Sequence, residues 1–198
     1  MIIVDVETTG LDPYKHSIAS IGAVDFGNPQ NQFHEECRIW EGAEIEQEAL
    51  RVNGFTEEQL RDPRKPTLTE TMRHFTVWAK GVSGDITLAG ENVFFDRDFL
   101  RASAERCGLE WIFSNRIVDL HSVSFAHHVK RGIAPPLRDK KTMLSLDKTL
   151  AYVGMPEEPK PHIAINGAKL EAEAFSRLLY GKPLFTEYEQ YSVPEYLL

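Results

Sequence analysis

The chain has 198 residues, of which 42% are hydrophobic, and a formal net charge of −8. This length suffices for one domain with a well-buried core. No run of 18 or more apolar residues is present, so a membrane-spanning helix is excluded, and the acidic total is unlike that of a typical nucleic-acid-binding protein.

Two features of the sequence indicate a cytoplasmic protein. Residue 1 leads directly into a strand-like segment, so we expect no signal or transit peptide. Cys37 and Cys107 lie far apart and have no metal-ligand spacing. Reduced thiols are the simpler interpretation, although one disulfide stays open at this stage.

The first half of the chain predicts strands followed by helices. Strand-like segments cover residues 1–7, 18–26 and 32–39, and the last two are separated by the turn residues 27–30, which predicts a hairpin. Helical patterns follow at residues 46–53, 56–60 and 68–80.

The second half alternates strands and helices. Strands are predicted at residues 85–90 and 116–119, and helices at residues 94–107, 120–129, 144–153 and 168–180. Residues 131–141 are predicted to be a loop. This order indicates one α/β domain with a mixed sheet over residues 1–180. Residues 181–198 are a tail that we expect to pack on the domain or on a partner.

A local excess of positive charge occurs between Lys130 and Lys148, where six basic residues stand against two acidic ones. This segment could follow a phosphate backbone. A solvated loop with scattered charges is the alternative.

The first strand carries two acidic residues, Asp5 and Glu7, among apolar residues. Side chains at i and i+2 of a strand point to the same side. Carboxylates are rarely buried without a partner, and two that converge suit a hard cation such as Mg²⁺ or Mn²⁺. An edge strand with two solvated acids is the alternative.

Three short motifs, in chain order, carry a family resemblance. They are Asp5-x-Glu7-Thr8-Thr9-Gly10, Asn92-Val93-Phe94-Phe95-Asp96 and His162-Ile163-Ala164. With these motifs the chain resembles the DEDDh 3′→5′ exonuclease superfamily, in particular ribonuclease T-like enzymes and polymerase proofreading domains. The resemblance covers nearly the whole chain. It implies a ribonuclease H-like fold, with a mixed five-stranded sheet flanked by helices.

The resemblance also implies phosphodiester hydrolysis with two divalent ions, Mg²⁺ or Mn²⁺. Asp5, Glu7 and Asp96 would bind the metals, and His162 would be the general base. On its own, His162 would be interpreted as a surface histidine in a proline-rich loop, and only the order of the motifs favours the catalytic role.

Residues that would hold the substrate follow from the same resemblance. The terminal nucleotide would lie against the turn after the first strand and near the second motif, at Thr8, Thr9, Gly10, Leu11, Asn92 and Phe95. Phe99, at helical spacing from Phe95, is expected to belong to the core.

One departure from the family pattern is serious. Five residues after His162 the family has an aspartate that binds the first metal, but this chain has Gly167. Glu171, one helical turn further, is a candidate substitute. Alternatively, water or Asn166 fills the gap, or hydrolysis has been lost.

Two functions therefore compete. The first is a 3′→5′ exonuclease acting on 3′ ends of single-stranded DNA or RNA. The second is a weakened or silent exonuclease-like module that binds nucleic-acid ends or a protein partner. The choice between DNA and RNA, and the existence of a homodimer, stay open.

Overall fold

The computed structural model describes all 198 residues, and its centre is a five-stranded mixed sheet. The strands are β1 (Ile2–Thr8), β2 (Ile18–Asp25), β3 (Gln32–Glu36), β4 (Leu88–Gly90) and β5 (Ile117–Asp119). Their order is β3-β2-β1-β4-β5; β1 pairs antiparallel with β2 and parallel with β4. The predicted α/β architecture with five strands is confirmed.

Helices cover both faces of this sheet. They are α1 (Gln47–Asn53), α2 (Glu57–Leu60), α3 (Leu68–Gly81), α4 (Val93–Arg106), α5 (Leu120–Lys130), α6 (Leu146–Tyr152) and α7 (Ala164–Tyr180). On β1, Val4 belongs to the core under α3 and α4, whereas Ile3 belongs to the core under α7. The central strand is apolar on both sides because both sides are covered. No helix combines the length and the apolar character needed to cross a membrane.

A glycine on β2 lets the last long helix approach the sheet closely. Gly22 pairs with Asp5 of β1, and a Cβ atom at Gly22 would overlap the backbone of Ala164 and Ile165. The first turn of α7 therefore rests directly on β2, beside Asp5. This contact brings the C-terminal part of the chain to the acidic end of β1.

Two predicted elements need correction. The segment predicted as a loop contains a hairpin, β6 (Leu137–Arg138) and β7 (Lys141–Thr142), whose turn residues Asp139 and Lys140 have φ of 51° and 64°. Strands of two residues are too short for a period-two pattern to show.

The second correction concerns α7, which begins at Ala164 and not at residue 168. Gly167 therefore lies inside the helix, in its first turn, and not before it. Intrinsic propensity is a weak guide where tertiary packing requires a residue without a side chain.

The tail, residues 181–198, contains two short 3-10 helices, Thr186–Tyr188 and Glu195–Leu197, and packs on α7. Arg177 is fully buried and donates hydrogen bonds to the carbonyl oxygens of Tyr188 and Tyr191. Glu173 pairs with Arg177 and accepts hydrogen bonds from the Leu184 and Phe185 amides. Cys37 and Cys107 are both free.

Candidate active site

A cleft of about 300 Å³ opens at the carboxyl end of β1. Its lining combines acidic side chains with one imidazole: Asp5, Glu7, Glu46, Glu48, Glu158, Glu171 and His162. The rest of the lining comes from β1 and the turn after it, from α1, and from Phe95 of α4 and Leu146 of α6. Segments far apart in the sequence thus meet at one place.

The two acids of β1 lie at this cleft as their spacing predicts. Burial and the neighbouring Glu7 carboxylate raise the pKa of Asp5 well above its usual range. Burial and Glu158 raise the pKa of Glu7 to about 7. Both shifts have the same physical origin, because a carboxylate loses hydration and faces other negative charges.

Asp96 joins β1 from the first turn of α4. Its Oδ1 accepts a hydrogen bond of 2.9 Å from the Val6 amide, and its side chain is buried. Burial and the charge of Asp5 raise its pKa well above the usual range. The bond to Val6 fixes the start of α4 against β1, so Asp96 stays beside the acids of that strand.

Glu171 reaches the same group of acids from α7. Its side chain is buried, and its Oε2 has no hydrogen-bond partner. This oxygen lies against Gly90, where a Cβ atom would come within 2.9 Å of it. Burial, Asp5 and Asp96, in this order, raise the pKa of Glu171 well above its usual range. Glu171 therefore faces the Asp5–Asp96 side of the site.

Gly167, one turn earlier on α7, faces the carboxylate of Asp5. A Cβ atom at Gly167 would overlap Asp5 Oδ2, and it would lie 3.0 Å from Asp5 Cγ and 3.3 Å from Glu158 Oε1. The position at which the family has its fourth acid thus points into the site. In this chain the carboxylate of Asp5 occupies the space that a side chain would take.

Glu158 is the residue of the site that the sequence did not reveal. Its backbone amide donates to Asp147 Oδ1 at 3.1 Å, and its side chain is 8% exposed. Oε2 lies 3.5 Å from His162 Nδ1, whereas Oε1 is buried without a partner. Burial, Asp5 and Asp147 raise its pKa to about 7. The one available signal was an acid four residues before His162 in a chain that lacks the expected acid.

His162 stands at the mouth of the cleft, just before α7. Its backbone amide donates to the Val52 carbonyl at 3.1 Å, which attaches the preceding loop to α1. Burial, followed by the charge of Lys160, lowers the pKa of the imidazole. The ring is therefore neutral near pH 7 and can accept a proton.

Four of the six predicted substrate residues line the cleft: Thr8, Gly10, Leu11 and Phe95. Leu11 is 74% exposed, as a side chain that meets a base needs to be. Phe95 is half-buried and packs on Phe99, which belongs to the core as predicted.

The other two predicted substrate residues, Thr9 and Asn92, do not line the cleft. Thr9 is fully buried; its hydroxyl donates to the Glu44 carbonyl and accepts from the Ser17 amide, so it holds the turn together. Asn92 has an exposed side chain at the start of α4 and does not line the cleft. The sequence motif alone does not show that the Thr9 hydroxyl bonds to other groups of the protein.

The chemistry of the site fits hard divalent cations. Carboxylate oxygens are the preferred ligands of Mg²⁺ and Mn²⁺, and two oxygens here, Glu158 Oε1 and Glu171 Oε2, are buried without partners. No three His, Cys, Asp or Glu side chains converge tightly enough to hold an ion as they stand. Binding therefore requires the carboxylates to close around the cation.

Comparison with known proteins identifies the family. A family model described as "Exonuclease", of the RNase T type, matches residues 2–175. The chain belongs to the exonuclease family. The nuclease domain of 3′hExo, described as a DEDDh family member and bound to rAMP, superimposes with a TM-score of 0.69 at 18% identity, covering 98% of this chain and 95% of that one. The predicted DEDDh superfamily and ribonuclease H-like fold are confirmed.

Relatives of this exonuclease domain include longer proteins. The PolC-type DNA polymerase III of Thermotoga maritima is 27% identical over 184 residues, which cover 90% of this chain but 12% of the polymerase. Ribonuclease T of Vibrio vulnificus is 29% identical over 126 residues, 55% of this chain and 56% of that protein. E. coli exonuclease I in complex with a dT13 oligonucleotide has the same fold, with a TM-score of 0.67 at 17% identity, covering 89% of this chain and 40% of that one.

Proposed function

We propose that this protein is a 3′→5′ exonuclease that removes nucleotides from 3′ ends of single-stranded DNA or RNA, using two divalent cations, Mg²⁺ or Mn²⁺. The observation that carries the proposal is the meeting of Asp5, Glu7, Asp96 and His162 at one end of β1. These residues come from three distant motifs of a chain that belongs to the exonuclease family.

The carboxylates have distinct places in this proposal. Asp5 and Glu7 would hold the first cation, with Asp5 shared by the second. Asp96 would serve the second cation, and Glu171, which faces Asp5 and Asp96, adds a carboxylate on that side. When bound, the cations supply positive charge that stabilises the attacking and the departing oxygen.

His162 has the properties of a general base. Nδ1 faces Glu158, which leaves Nε2 to accept the proton of the attacking water. The lowered pKa keeps the ring unprotonated near neutral pH, which this role requires.

The turn after β1 would hold the terminal nucleotide. Thr8, Gly10, the exposed Leu11 and Phe95 all line the cleft. A base stacked on Phe95 would contribute about 1–3 kcal/mol without selecting a sequence. This lining suits both DNA and RNA.

The hairpin β6–β7 is a candidate binding surface for the part of the nucleic acid that lies outside the cleft. Arg138, Lys140 and Lys141 are exposed on it, and Thr142 bonds His121 at the start of α5. Basic side chains on an otherwise acidic protein would attract phosphate groups.

The biological setting is part of the same proposal. Similarity to a segment of PolC-type polymerases supports action beside a polymerase, through a protein partner or within a longer chain. Two free cysteines suit the reducing cytoplasm that the sequence predicts.

A 5′-labelled oligonucleotide tests the proposed activity. With Mn²⁺ or Mg²⁺ we expect a ladder that shortens from the 3′ end, and Asp5→Asn should abolish it because the shared carboxylate is neutralised. Glu157→Gln, in the exposed part of the loop, is the control. Binding of the oligonucleotide with no shortening at high protein concentration would contradict the proposal and support a silent binding module.

A further inference from the structure

The volume in front of Gly167 is bordered by two carboxylates. Asp5 Oδ2 lies within contact distance of a Cβ built at Gly167, and Glu158 Oε1 lies 3.3 Å from it. Of these two oxygens, Glu158 Oε1 is buried with no hydrogen-bond partner. A nearly buried carboxylate that leaves one oxygen unpaired needs a cation or a proton to be stable there.

Glu158 and Glu171 both neighbour Asp5, but they border different positions of the site. Glu158 Oε1 lies 3.3 Å from a Cβ built at Gly167, whereas Glu171 Oε2 lies 2.9 Å from a Cβ built at Gly90. In the family arrangement the missing acid belongs with the Asp5–Glu7 pair. Glu158 therefore borders the position that lost a carboxylate, whereas Glu171 borders Gly90.

The loop that carries Glu158 is attached at both ends. The Glu158 amide bonds Asp147 Oδ1 in the first turn of α6, and the His162 amide bonds the Val52 carbonyl of α1. Between these attachments, Glu158 Oε2 faces His162 Nδ1 at 3.5 Å. One carboxylate thus faces the imidazole with one oxygen and the acids of β1 with the other.

We propose that Glu158 supplies the carboxylate that Gly167 lacks and completes, with Asp5 and Glu7, the ligands of the first divalent cation. This inference rests on the proposed exonuclease function. The glycine at position 167 leaves the space that Asp5 and Glu158 occupy. A side chain at this position would displace Asp5 and crowd Glu158. The metal ligand has moved from the helix to the loop that also carries His162.

Manganese binding, measured by calorimetry and by the EPR signal of free Mn²⁺, tests this assignment without relying on activity. We expect Glu158→Gln to weaken the tighter site by about tenfold or more, since even residues that only orient ligands change metal affinity by about 10–100-fold. Glu157→Gln, at the exposed neighbouring position, should bind like the wild type. Glu171→Gln should leave the tighter site within about threefold.

Moving the carboxylate from position 158 back to position 167 gives a second test. Glu158→Ala should lose affinity for Mn²⁺, and it removes one of the two carboxylates that border position 167, so that Asp5 can turn into the space of Glu158. Adding Gly167→Asp to that variant should recover at least part of the loss, because the acid returns to the family position. Gly167→Asp alone should not tighten binding, since with Glu158 in place Asp5 has no space to turn away from the new side chain. Melting curves of each variant confirm that it is folded.

Two results would overturn the inference: wild-type Mn²⁺ affinity in Glu158→Gln, or loss of the tighter site in Glu171→Gln but not in Glu158→Gln. Either leaves the exonuclease proposal intact, provided that the wild-type protein shortens oligonucleotides. A wild-type protein that binds no Mn²⁺ at millimolar concentration would overturn both.

Discussion

His162 is the residue whose chemistry is most specific to the proposed reaction. We expect His162→Gln to lower kcat by about 10²–10⁴-fold, the usual contribution of a general base. Mn²⁺ affinity should fall less than in Glu158→Gln, because the imidazole contacts the ligand Glu158 but supplies no ligand itself. Single-turnover cleavage together with calorimetry separates the two effects.

The control for this variant is His74→Gln, which removes an exposed imidazole beside Glu35 and should leave cleavage unchanged. Cleavage by His162→Gln at the wild-type rate would show that another group removes the proton.

Thr9 is a motif residue whose hydroxyl makes both of its hydrogen bonds within the protein. Thr9→Val keeps the shape but removes the hydroxyl between the Glu44 carbonyl and the Ser17 amide. We expect the free energy of unfolding to fall by about 1–3 kcal/mol, because the buried Ser17 amide and the part-buried Glu44 carbonyl each lose a hydrogen bond. Urea unfolding measures this change.

For Thr9→Val the KM for an oligonucleotide should stay near the wild-type value. A raised KM without a loss of stability would instead support contact between Thr9 and the substrate.

At the scale of elements, α7 supports both the site and the tail. Its N-terminal turn carries Gly167 beside Asp5, and its C-terminal half carries the fully buried pair of Glu173 and Arg177. Arg177→Met should reduce the free energy of unfolding by about 3–5 kcal/mol, because Glu173 would be left buried without its charge partner. Chemical denaturation monitored by circular dichroism gives the value.

A second variant on the same helix provides the comparison. Lys169→Met breaks the more exposed pair with Glu187 and should cost less than about 1 kcal/mol. Equal losses in the two variants would show that the buried pair adds no special stability.

The β6–β7 hairpin is the element that we expect to bind the phosphate backbone. Neutralising Arg138, Lys140 and Lys141 together should weaken binding of single-stranded DNA, and the slope of log K against log salt should become shallower by about 2, at about 0.7 per phosphate contact. Fluorescence anisotropy at several salt concentrations measures both quantities.

Neutralising three exposed basic residues on other parts of the surface, Arg64, Arg73 and Lys80, controls for net charge. The same loss of affinity in that control would show that the hairpin has no particular role.

At the scale of the whole molecule, the acidic cluster should make stability depend on pH. The pKa of Glu7 and that of Glu158 are raised from their usual values to about 7. Between about pH 5 and pH 8 the folded protein without metal holds more protons than the unfolded chain, so its stability falls as pH rises. Mg²⁺ should restore stability at the upper end, because it neutralises the ionised carboxylates.

Melting temperatures measured across this range in EDTA and in excess Mg²⁺ test the expectation. Glu7→Gln should reduce the slope in EDTA. A melting temperature in EDTA that rises from pH 5 to pH 8 would contradict the cluster as the source of the pH dependence.

The sequence by itself determined the order of strands and helices along the chain, the acids of β1 and the order of the three motifs. These are local properties: Asp5 and Glu7 share a side because strand side chains alternate, and the cap of α5 at Asp119 depends on residues within one turn. The family resemblance then supplied Asp96 and His162, which no local pattern connects.

Only the tertiary structure decided which side chains meet. Glu158 enters the site because its loop is attached to α6 and α1, Gly167 faces Asp5 because α7 rests on Gly22, and Thr9 turns inward to Ser17. The contacts of Gly167 and of the loop before α7 depend on the packing of segments more than a hundred residues apart. The orientation of Thr9 depends on which of the two neighbouring threonines, Thr8 or Thr9, has its hydroxyl directed into the protein. Residue spacing within an element does not contain that information, whereas close packing of helix on sheet fixes it.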